Sequence, residues 1–188
     1  MLFIKPTNGC LPMIKEIKRI KRIVHKLLLF FTKITHSKSY MQIYNKYLRA
    51  CGVDVEGNVK FIHSSVYLDT AYGTKIHIGD NCVMSVNTIV LAHDFSLECG
   101  IASLGLGDLK NEKKIVRDVY IGNNVFIGAG CTILPGTHIG DNCIIGAGTV
   151  CSGRIPDNSI VVGGKWKVIA DTREWTEEKI RQYADIQM

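Results

Sequence analysis

The chain has 188 residues, of which 46% are hydrophobic and 21% are charged, and a formal net charge of +6. This composition is ordinary for a soluble globular protein, and the length suffices for one well-packed domain with a small appendage. A membrane-spanning helix needs roughly 20 apolar residues, and the longest apolar run, Leu27–Phe31, is far shorter.

Cysteine usage argues against a disulfide framework. The chain holds seven cysteines, an odd number, and it is longer than small disulfide scaffolds. No C-x-x-C pair and no Cys/His cluster has the spacing of a metal site. We therefore expect free thiols and no metal.

Residues 1–52 are predicted to form a helical segment. Apolar residues recur there in steps of three and four, which gives one helix an apolar seam. The seam contains Met13, Ile17, Ile20, Val24, Leu27, Phe31 and Ile34. A second, short helix is expected at Tyr40–Ala50, ending at Gly52, a residue suited to a left-handed cap.

The same segment concentrates positive charge. Its basic run includes Lys15, Lys18, Arg19, Lys21, Arg22, Lys26, Lys33 and Lys38, and Glu16 is the one acidic residue before residue 50. Two interpretations stay open. The helix could contact an anionic membrane surface peripherally, or its seam could pack on the second helix or on sister subunits, which we favour. Nucleic-acid binding is not expected, because aromatic residues do not interleave with the basic run.

The N-terminus does not resemble a secretory signal. Basic residues run through the apolar stretch instead of preceding it, and no small-residue cleavage site follows. We therefore expect a cytoplasmic protein, or one held at the inner face of the membrane.

A six-residue repeat dominates the second half of the chain. Isoleucine returns at Ile121, Ile127, Ile133, Ile139 and Ile145. Six is a multiple of the two-residue alternation of a strand and does not match the helical period of about 3.6. Gly, Asn and Asp follow the aliphatic residue and suit tight corners. The pattern predicts a β-solenoid, a triangular prism with three sides per coil.

The solenoid is predicted at residues 53–163, with about five coils. Its period fails between residues 96 and 114, and a loop of this length inside a repeat is usually functional or disordered. We expect this excursion loop to leave the prism directly after His93 and Asp94. Residues 164–188 form a predicted tail and a helix from Thr172, with Thr172 or Asp171 as its N-cap.

Two blocks of sequence resemble a known family. They are "IGDNCVMSVNTIVLAHDFS" and "IVRDVYIGNNVFIGAGCTILPGTHIGDNCIIGAGTVCSGRIPDNSIVVGG", and they look like the hexapeptide-repeat acyltransferases. The likeness is to the maltose/galactoside O-acetyltransferase branch, with its relatives that acetylate cell-surface polysaccharides. The resemblance implies an all-β fold, a left-handed parallel β-helix, and a homotrimer. It also implies an acyl-CoA donor in the cleft between neighbouring subunits and a histidine as catalytic base.

His93 is the candidate catalytic base. Acyl transfer to a hydroxyl needs a group that removes the hydroxyl proton, and an imidazole suits that role near neutral pH. His93 lies just before the excursion loop, at the place in the pattern where the resemblance puts the catalytic histidine. Asp94 either orients His93 or only hydrates the loop.

Other reactive residue types are expected to be structural. His77 and His138 end their hexapeptides, where exposed variable residues are expected, and His63 lies in an irregular first coil. Cys82, Cys131 and Cys143 stand at the small inward position and should behave as compact hydrophobes.

Small residues along the solenoid are candidates for the donor site, because they let a pantetheine arm approach backbone amides. They could equally do no more than form corners. Cations near the last coil would bind the phosphates of coenzyme A, and a tryptophan there could stack on adenine, although packing is favoured. The candidate donor residues are Phe126, Gly128, Ala129, Gly146, Ala147, Ser152, Arg154, Lys165, Trp166 and Lys167. The acceptor pocket is expected at residues 96–114 and around Tyr67, Asp69 and Tyr72.

Together these features predict an acetyl-CoA-dependent O-acetyltransferase that acts on a sugar or a cell-surface glycan. Two alternatives stay open: an N-acetyltransferase of a nucleotide-linked amino sugar, and a non-catalytic trimeric scaffold. A zinc-dependent carbonic anhydrase is disfavoured, because the residue five after His93 is Glu98 and no close histidine pair exists.

Overall fold

The computed structural model describes residues 19–20, 22–24, 27, 39–96, 114–163, 167–171 and 174. Helix α1 spans Tyr40–Ala50, and Gly52 follows it with φ of 90°. Its Asn45 is buried and binds the backbone of Val59 in both directions, at 3.1 Å to the carbonyl and 3.0 Å from the amide. Arg49 donates to the carbonyl of Val55 at 3.2 Å. Helix α1 thus covers the first coil, whose strand edges would otherwise be open.

The chain then winds through short strands that stack into three parallel sheets, one for each side of the prism. The first sheet contains β1 (Asp54–Val55), β4 (Ile76–Ile78), β9 (Val119–Ile121), β12 (His138–Ile139) and β15 (Arg154–Ile155). The second contains β2 (Phe61–Ile62), β5 (Val83–Met84), β10 (Phe126–Ile127), β13 (Ile144–Ile145) and β16 (Ser159–Val162). The third contains β3 (Tyr67–Leu68), β6 (Ile89–Val90), β11 (Thr132–Ile133) and β14 (Val150–Cys151). Five coils result, as the six-residue period predicts.

The core is a column of aliphatic side chains inside the prism. Within a strand the burial alternates, so that in β10 Phe126 is exposed while Ile127 is fully buried. The register stacks each buried aliphatic on the next coil, as Ile127 stacks on Ile145. Each isoleucine so buried stabilises the fold by roughly 1.5–3 kcal/mol.

One corner of the prism, the asparagine corner, is defined by Asn81, Asn124, Asn142 and Asn158. These residues have φ between 55° and 57°, a conformation that asparagine tolerates better than most residues. Their side chains form a ladder between coils, with Nδ2 to Oδ1 distances of 2.8, 3.1 and 3.1 Å. The preceding residues form a second ladder, in which the Asp141 carboxylate accepts from the Asn123 amide at 2.6 Å.

Two other corners complete each coil. The glycine corner holds Gly128, Ala129, Gly146 and Ala147, between the second and third sheets. The excursion corner holds Leu91, Arg117, Leu134 and Ser152, between the third and first sheets. There β7 (His93–Asp94) pairs antiparallel with β8 (Ile115–Val116), so the two ends of the excursion loop are joined.

The C-terminal region departs from the prediction of a tail. Residues Lys167–Asp171 form β17, which pairs antiparallel with β16, because β16 would otherwise leave the last coil with an unpaired edge. The predicted helix from Thr172 lies outside the described residues apart from Glu174. The Glu174 amide donates to the Asp171 carboxylate at 3.3 Å, as expected of an N-cap.

The N-terminal seam can be judged at three positions. The described residues between 19 and 27 are helical, and Ile20, Val24 and Leu27 are 57%, 47% and 55% exposed. These three side chains are about half exposed in a single chain, so the packing of the seam on the second helix or on sister subunits stays a prediction. Across the described ranges no helix has the length and apolarity that crossing a membrane requires.

Candidate active site

His93 is held by a buried carboxylate from the coil beneath it. Its Nδ1–H donates to Asp69 Oδ2, an oxygen that also accepts from the Ala92 amide at 3.3 Å. Asp69 is 1% exposed, whereas the His93 side chain is 22% exposed. Because Nδ1 carries the donated proton, Nε2 is the proton-accepting nitrogen of the neutral ring. A histidine with its tautomer fixed in this way is suited to accept a proton at Nε2.

Aromatic rings fix the plane of the imidazole. Tyr72 lies against His93 with a centroid distance of 4.7 Å and an interplanar angle of 34°. Phe95 contacts it edge-on at 5.1 Å and 83°. The Lys114 ammonium lies over both rings, 5.3 Å from the Tyr72 centroid and 5.9 Å from the Phe95 centroid.

Asp94 has a different role from the orienting role considered for it. Its carboxylate accepts from the Ser96 amide at 2.7 Å and from the Ser96 hydroxyl at 2.8 Å. These two hydrogen bonds lower the pKa of Asp94. Asp94 therefore shapes the start of the excursion loop, and Asp69 is the residue that orients His93.

Sequence reasoning placed Asp69 only near an acceptor pocket. The contact between Asp69 and His93 could have been predicted from the register in which successive coils stack. Leu68 pairs with Val90, so Asp69 stacks beneath the residues that lead into His93. A buried acid at that point needs a partner.

A cavity of about 340 Å³ adjoins His93 at the excursion corner. Its walls combine apolar side chains from successive coils with a few polar groups, a common composition for a small-molecule site. It is lined by Leu91, His93, Asp94, Ile115, Arg117, Leu134, Pro135 and Ser152.

Among the candidate donor residues, Ser152 shares this cavity with His93. Gly128, Ala129, Gly146 and Ala147 lie at the glycine corner instead. Phe126 is exposed on the second sheet, and Arg154 on the first. Lys167 is exposed in β17, and Lys165 and Trp166 lie outside the described residues. Within one chain the described donor candidates other than Ser152 therefore do not line the cavity beside His93.

The glycine corner is packed tightly between coils. A Cβ at Gly128 would stand 2.6 Å from the Ala147 amide nitrogen, and one at Gly146 would stand 2.8 Å from Val162 Cγ1. Glycine is therefore required for stacking at Gly128, where the close atom belongs to the backbone. Ala147 is exposed beside it, which leaves an outer surface of small residues.

The buried thiols are not nucleophiles. Cys82, Cys131 and Cys143 are fully buried, and burial raises the pKa of all three, that of Cys82 to about 11. They remain protonated at neutral pH, and thiols react as thiolates.

The other described histidines, His63, His77 and His138, are not among the residues that line the cavity. His77 lies 3.0 Å from Asp54 and 3.3 Å from Asp118, and it stacks on Tyr120, which in turn stacks on His138. His63 bonds Ser65 at 2.8 Å. In the part of the chain that the structure describes, no group of three His, Cys, Asp or Glu residues is arranged to hold a metal ion.

Comparison with known proteins agrees with this architecture. Residues 118–153 match the family described as bacterial transferase hexapeptide (six repeats). These residues therefore carry the hexapeptide repeat of that family. "Putative acetyltransferase YvoF" of Bacillus subtilis is 34% identical over 117 residues, which are 62% of this chain and 59% of that protein. "Putative acetyltransferase YJL218W" of Saccharomyces cerevisiae is 35% identical over 117 residues, covering 55% of this chain and 59% of its own length. The match thus spans little more than half of these curated relatives.

Solved structures share the fold of this hexapeptide-repeat chain. A maltose O-acetyltransferase from Clostridium difficile 630 superposes with a TM-score of 0.53 and 26% identity over 83% of this chain and 88% of that one. A galactoside acetyltransferase in complex with coenzyme A gives a TM-score of 0.58 and 24% identity over 93% and 88%. The solenoid is thus a left-handed parallel β-helix.

Proposed function

We propose that this protein is an acetyl-CoA-dependent O-acetyltransferase that acetylates a hydroxyl of a sugar or a cell-surface glycan, with His93 as the general base. The observation that carries the proposal is the buried Asp69 carboxylate behind His93, beside a cavity open at the excursion corner. The names of the relatives and of the maltose O-acetyltransferase support the acetyl-transfer chemistry.

The geometry accounts for the proton transfer. An acceptor hydroxyl in the cavity would donate to His93 Nε2, which takes its proton as the oxygen attacks the thioester carbonyl. The new C–O bond gives a tetrahedral intermediate, whose collapse breaks the C–S bond. The coenzyme A thiolate then receives the proton from the imidazolium. Asp69 stabilises that imidazolium and prevents the ring from turning.

The donor site is proposed to form between two copies of the chain. In one chain the small residues of the glycine corner lie on a different corner from His93. A cyclic trimer would bring the glycine corner of one copy to the excursion corner of the next, because such interfaces join two different patches. Coenzyme A in the complexed galactoside enzyme supports a coenzyme A donor.

The test is thiol release from acetyl-CoA by the purified protein, against a panel of sugars, oligosaccharides, UDP-amino sugars and small amines. We expect turnover with hydroxyl acceptors, and a fall of about a hundredfold or more in His93→Ala. His138→Ala, a stacked histidine outside the cavity, serves as the matched control and should remain active.

Three results would contradict the proposal. A fully active His93→Ala would remove His93 from the mechanism, and turnover confined to amines would identify an N-acetyltransferase. If no acceptor gives thiol release and calorimetry detects no binding of acetyl-CoA, the result would favour a non-catalytic scaffold.

A further inference from the structure

Arg117 is a charged residue of the cavity that the proposed chemistry does not use. It lies between β8 and β9, and its amide donates to the Ala92 carbonyl at 3.0 Å, which ties it to the coil that carries His93. The side chains of Arg117 and His93 line the same cavity. Arg117 is therefore held close to the reacting end of the site.

The Arg117 side chain lies along the corner at Gly136. A Cβ at Gly136, whose φ is 82°, would stand 3.0 Å from Arg117 Cδ and 3.8 Å from Nη1. The absence of a side chain at Gly136 therefore leaves room for the Arg117 side chain against the coil wall. This contact places the guanidinium beside the cavity wall formed by Leu134 and Pro135.

No described residue neutralises this guanidinium. Among residues 39–96 and 114–163, Arg117 makes no side-chain hydrogen bond and no ion pair, and it is exposed. The one carboxylate in the cavity, Asp94, accepts both of its hydrogen bonds from Ser96. An arginine retains its charge and five N–H donors at any physiological pH, so the cavity offers an unused site for an oxyanion.

Lys114 adds a second cation at the other end of the same short strand. Lys114 and Arg117 flank β8, and the Lys114 ammonium lies over the rings of Tyr72 and Phe95, which both pack on His93. Two cations, Arg117 and Lys114, and two carboxylates, the exposed Asp94 and the buried Asp69, thus lie around the base. Of these two cations, Arg117 is the one that lines the cavity.

We propose that the acceptor is an anionic sugar, whose carboxylate or phosphate is bound by Arg117 while His93 deprotonates a nearby hydroxyl. This inference rests on the proposed function. A planar guanidinium binds either oxyanion through two parallel hydrogen bonds. The acceptor is the better source of the anion than the donor, because the pantetheine arm holds the diphosphate of coenzyme A far from the thioester, and Arg117 lies beside the base.

The experiment compares acceptors that differ only in charge. Thiol release from acetyl-CoA is measured with methyl glucuronide against methyl glucoside, with galacturonate oligomers against galactose oligomers, and with glucose 6-phosphate against glucose. The enzymes are the full-length wild type, Arg117→Gln, Arg117→Lys and the charge-matched control Lys60→Gln, an exposed residue of the first coil.

We expect an acidic member of at least one pair to be preferred by the wild type. Arg117→Gln should raise the KM for that acceptor by about tenfold or more, the effect of losing a charged hydrogen-bond partner. The KM for acetyl-CoA should not change, and kcat/KM for the neutral acceptor should fall much less than kcat/KM for the acidic one. Arg117→Lys should have a KM for that acceptor between those of the wild type and Arg117→Gln, because lysine keeps the charge but not the bidentate geometry. Lys60→Gln should have the KM of the wild type.

Equal kcat/KM for acidic and neutral partners would overturn the inference while leaving the transferase proposal intact. A rise in the KM for acetyl-CoA in Arg117→Gln would move the anion to the donor and overturn it as well. If the wild type releases no thiol with any acceptor, the proposed function fails first. Calorimetry with the same acidic sugars then decides the inference: binding that Arg117→Gln abolishes supports it, and no binding overturns it.

Discussion

Two corners of one prism solve the same folding problem differently. At the asparagine corner every coil after the first turns through an asparagine, and side-chain amides and carboxylates form hydrogen bonds from coil to coil. At the excursion corner no such ladder of side-chain bonds runs through the described coils, because the chain leaves the prism there as the excursion loop. There, among the residues that the structure describes, one oxygen of the buried Asp69 accepts no hydrogen bond and the Arg117 side chain makes none.

Polar side chains at the asparagine corner are bonded to one another, whereas at the excursion corner some keep hydrogen-bonding capacity that a ligand could use. A buried polar atom without a partner is costly and rare, so its occurrence directly behind His93 marks a site more clearly than the histidine alone. The asparagine corner stabilises the stack, whereas the excursion corner has fewer bonds between coils and holds the candidate base His93, the orienting Asp69 and a cavity.

The largest expected effect separates the two acids that flank His93. Asp69→Asn should lower kcat by roughly a hundredfold, because an amide cannot stabilise the imidazolium. The KM for acetyl-CoA and the unfolding midpoint should change little, since the shape is kept. If Asp69→Asn lowers the unfolding midpoint as markedly as it lowers kcat, the role of Asp69 is structural.

Asp94→Asn is the matched control for that variant, because Asp94 is exposed and bonded to Ser96. Its effect on kcat should be much smaller. A larger loss in Asp94→Asn than in Asp69→Asn would return the orienting role to Asp94.

A smaller effect, on stability alone, is expected at the asparagine corner. Asn124→Ala should destabilise the fold by about 2 kcal/mol, because alanine is strained at φ of 55° and both ladder bonds of Asn124 are lost. Asn124→Gly relieves the strain and should cost about half as much. Urea unfolding at one protein concentration measures the free energy of unfolding of both variants. An equal loss in Asn124→Ala and Asn124→Gly would show that the backbone conformation contributes nothing to the destabilisation.

The smallest effect is expected on the outer face of the first sheet. Hydrogen bonds from His77 and then Lys75 lower the pKa of Asp118. A carboxylate with a lowered pKa stabilises the fold above its ordinary pKa of 3.8, and this stabilisation is lost as the pH falls through the folded value. Asp118 is about one third exposed, so solvent screening keeps the effect below about 1 kcal/mol.

Asp118→Asn should therefore lower the urea midpoint slightly at pH 7, and the gap to the wild type should close in acid. High salt should narrow it at neutral pH as well. A gap that widens in acid would assign the effect to something other than this carboxylate.

Local pattern was sufficient for the solenoid. The six-residue return of isoleucine from Ile121 to Ile145 places one aliphatic in the core per side, whatever lies far away in the sequence, because each coil repeats the same contacts. The small inward positions of Cys82, Cys131 and Cys143 followed from the same period, and the structure buries all three. The place where the period breaks also located His93.

The sequence by itself thus determined the solenoid, its number of coils and the candidate base. Only the tertiary structure decided which groups work with that base. Asp69 meets His93 through coil stacking, and the antiparallel pair that joins the ends of the loop brings Arg117 to the cavity that His93 lines. The six-residue period gives the register of the strands, but it does not say which side chains meet at a corner. The strand at Lys167–Asp171 was decided in the same way, by the open edge of the last coil and not by its own pattern.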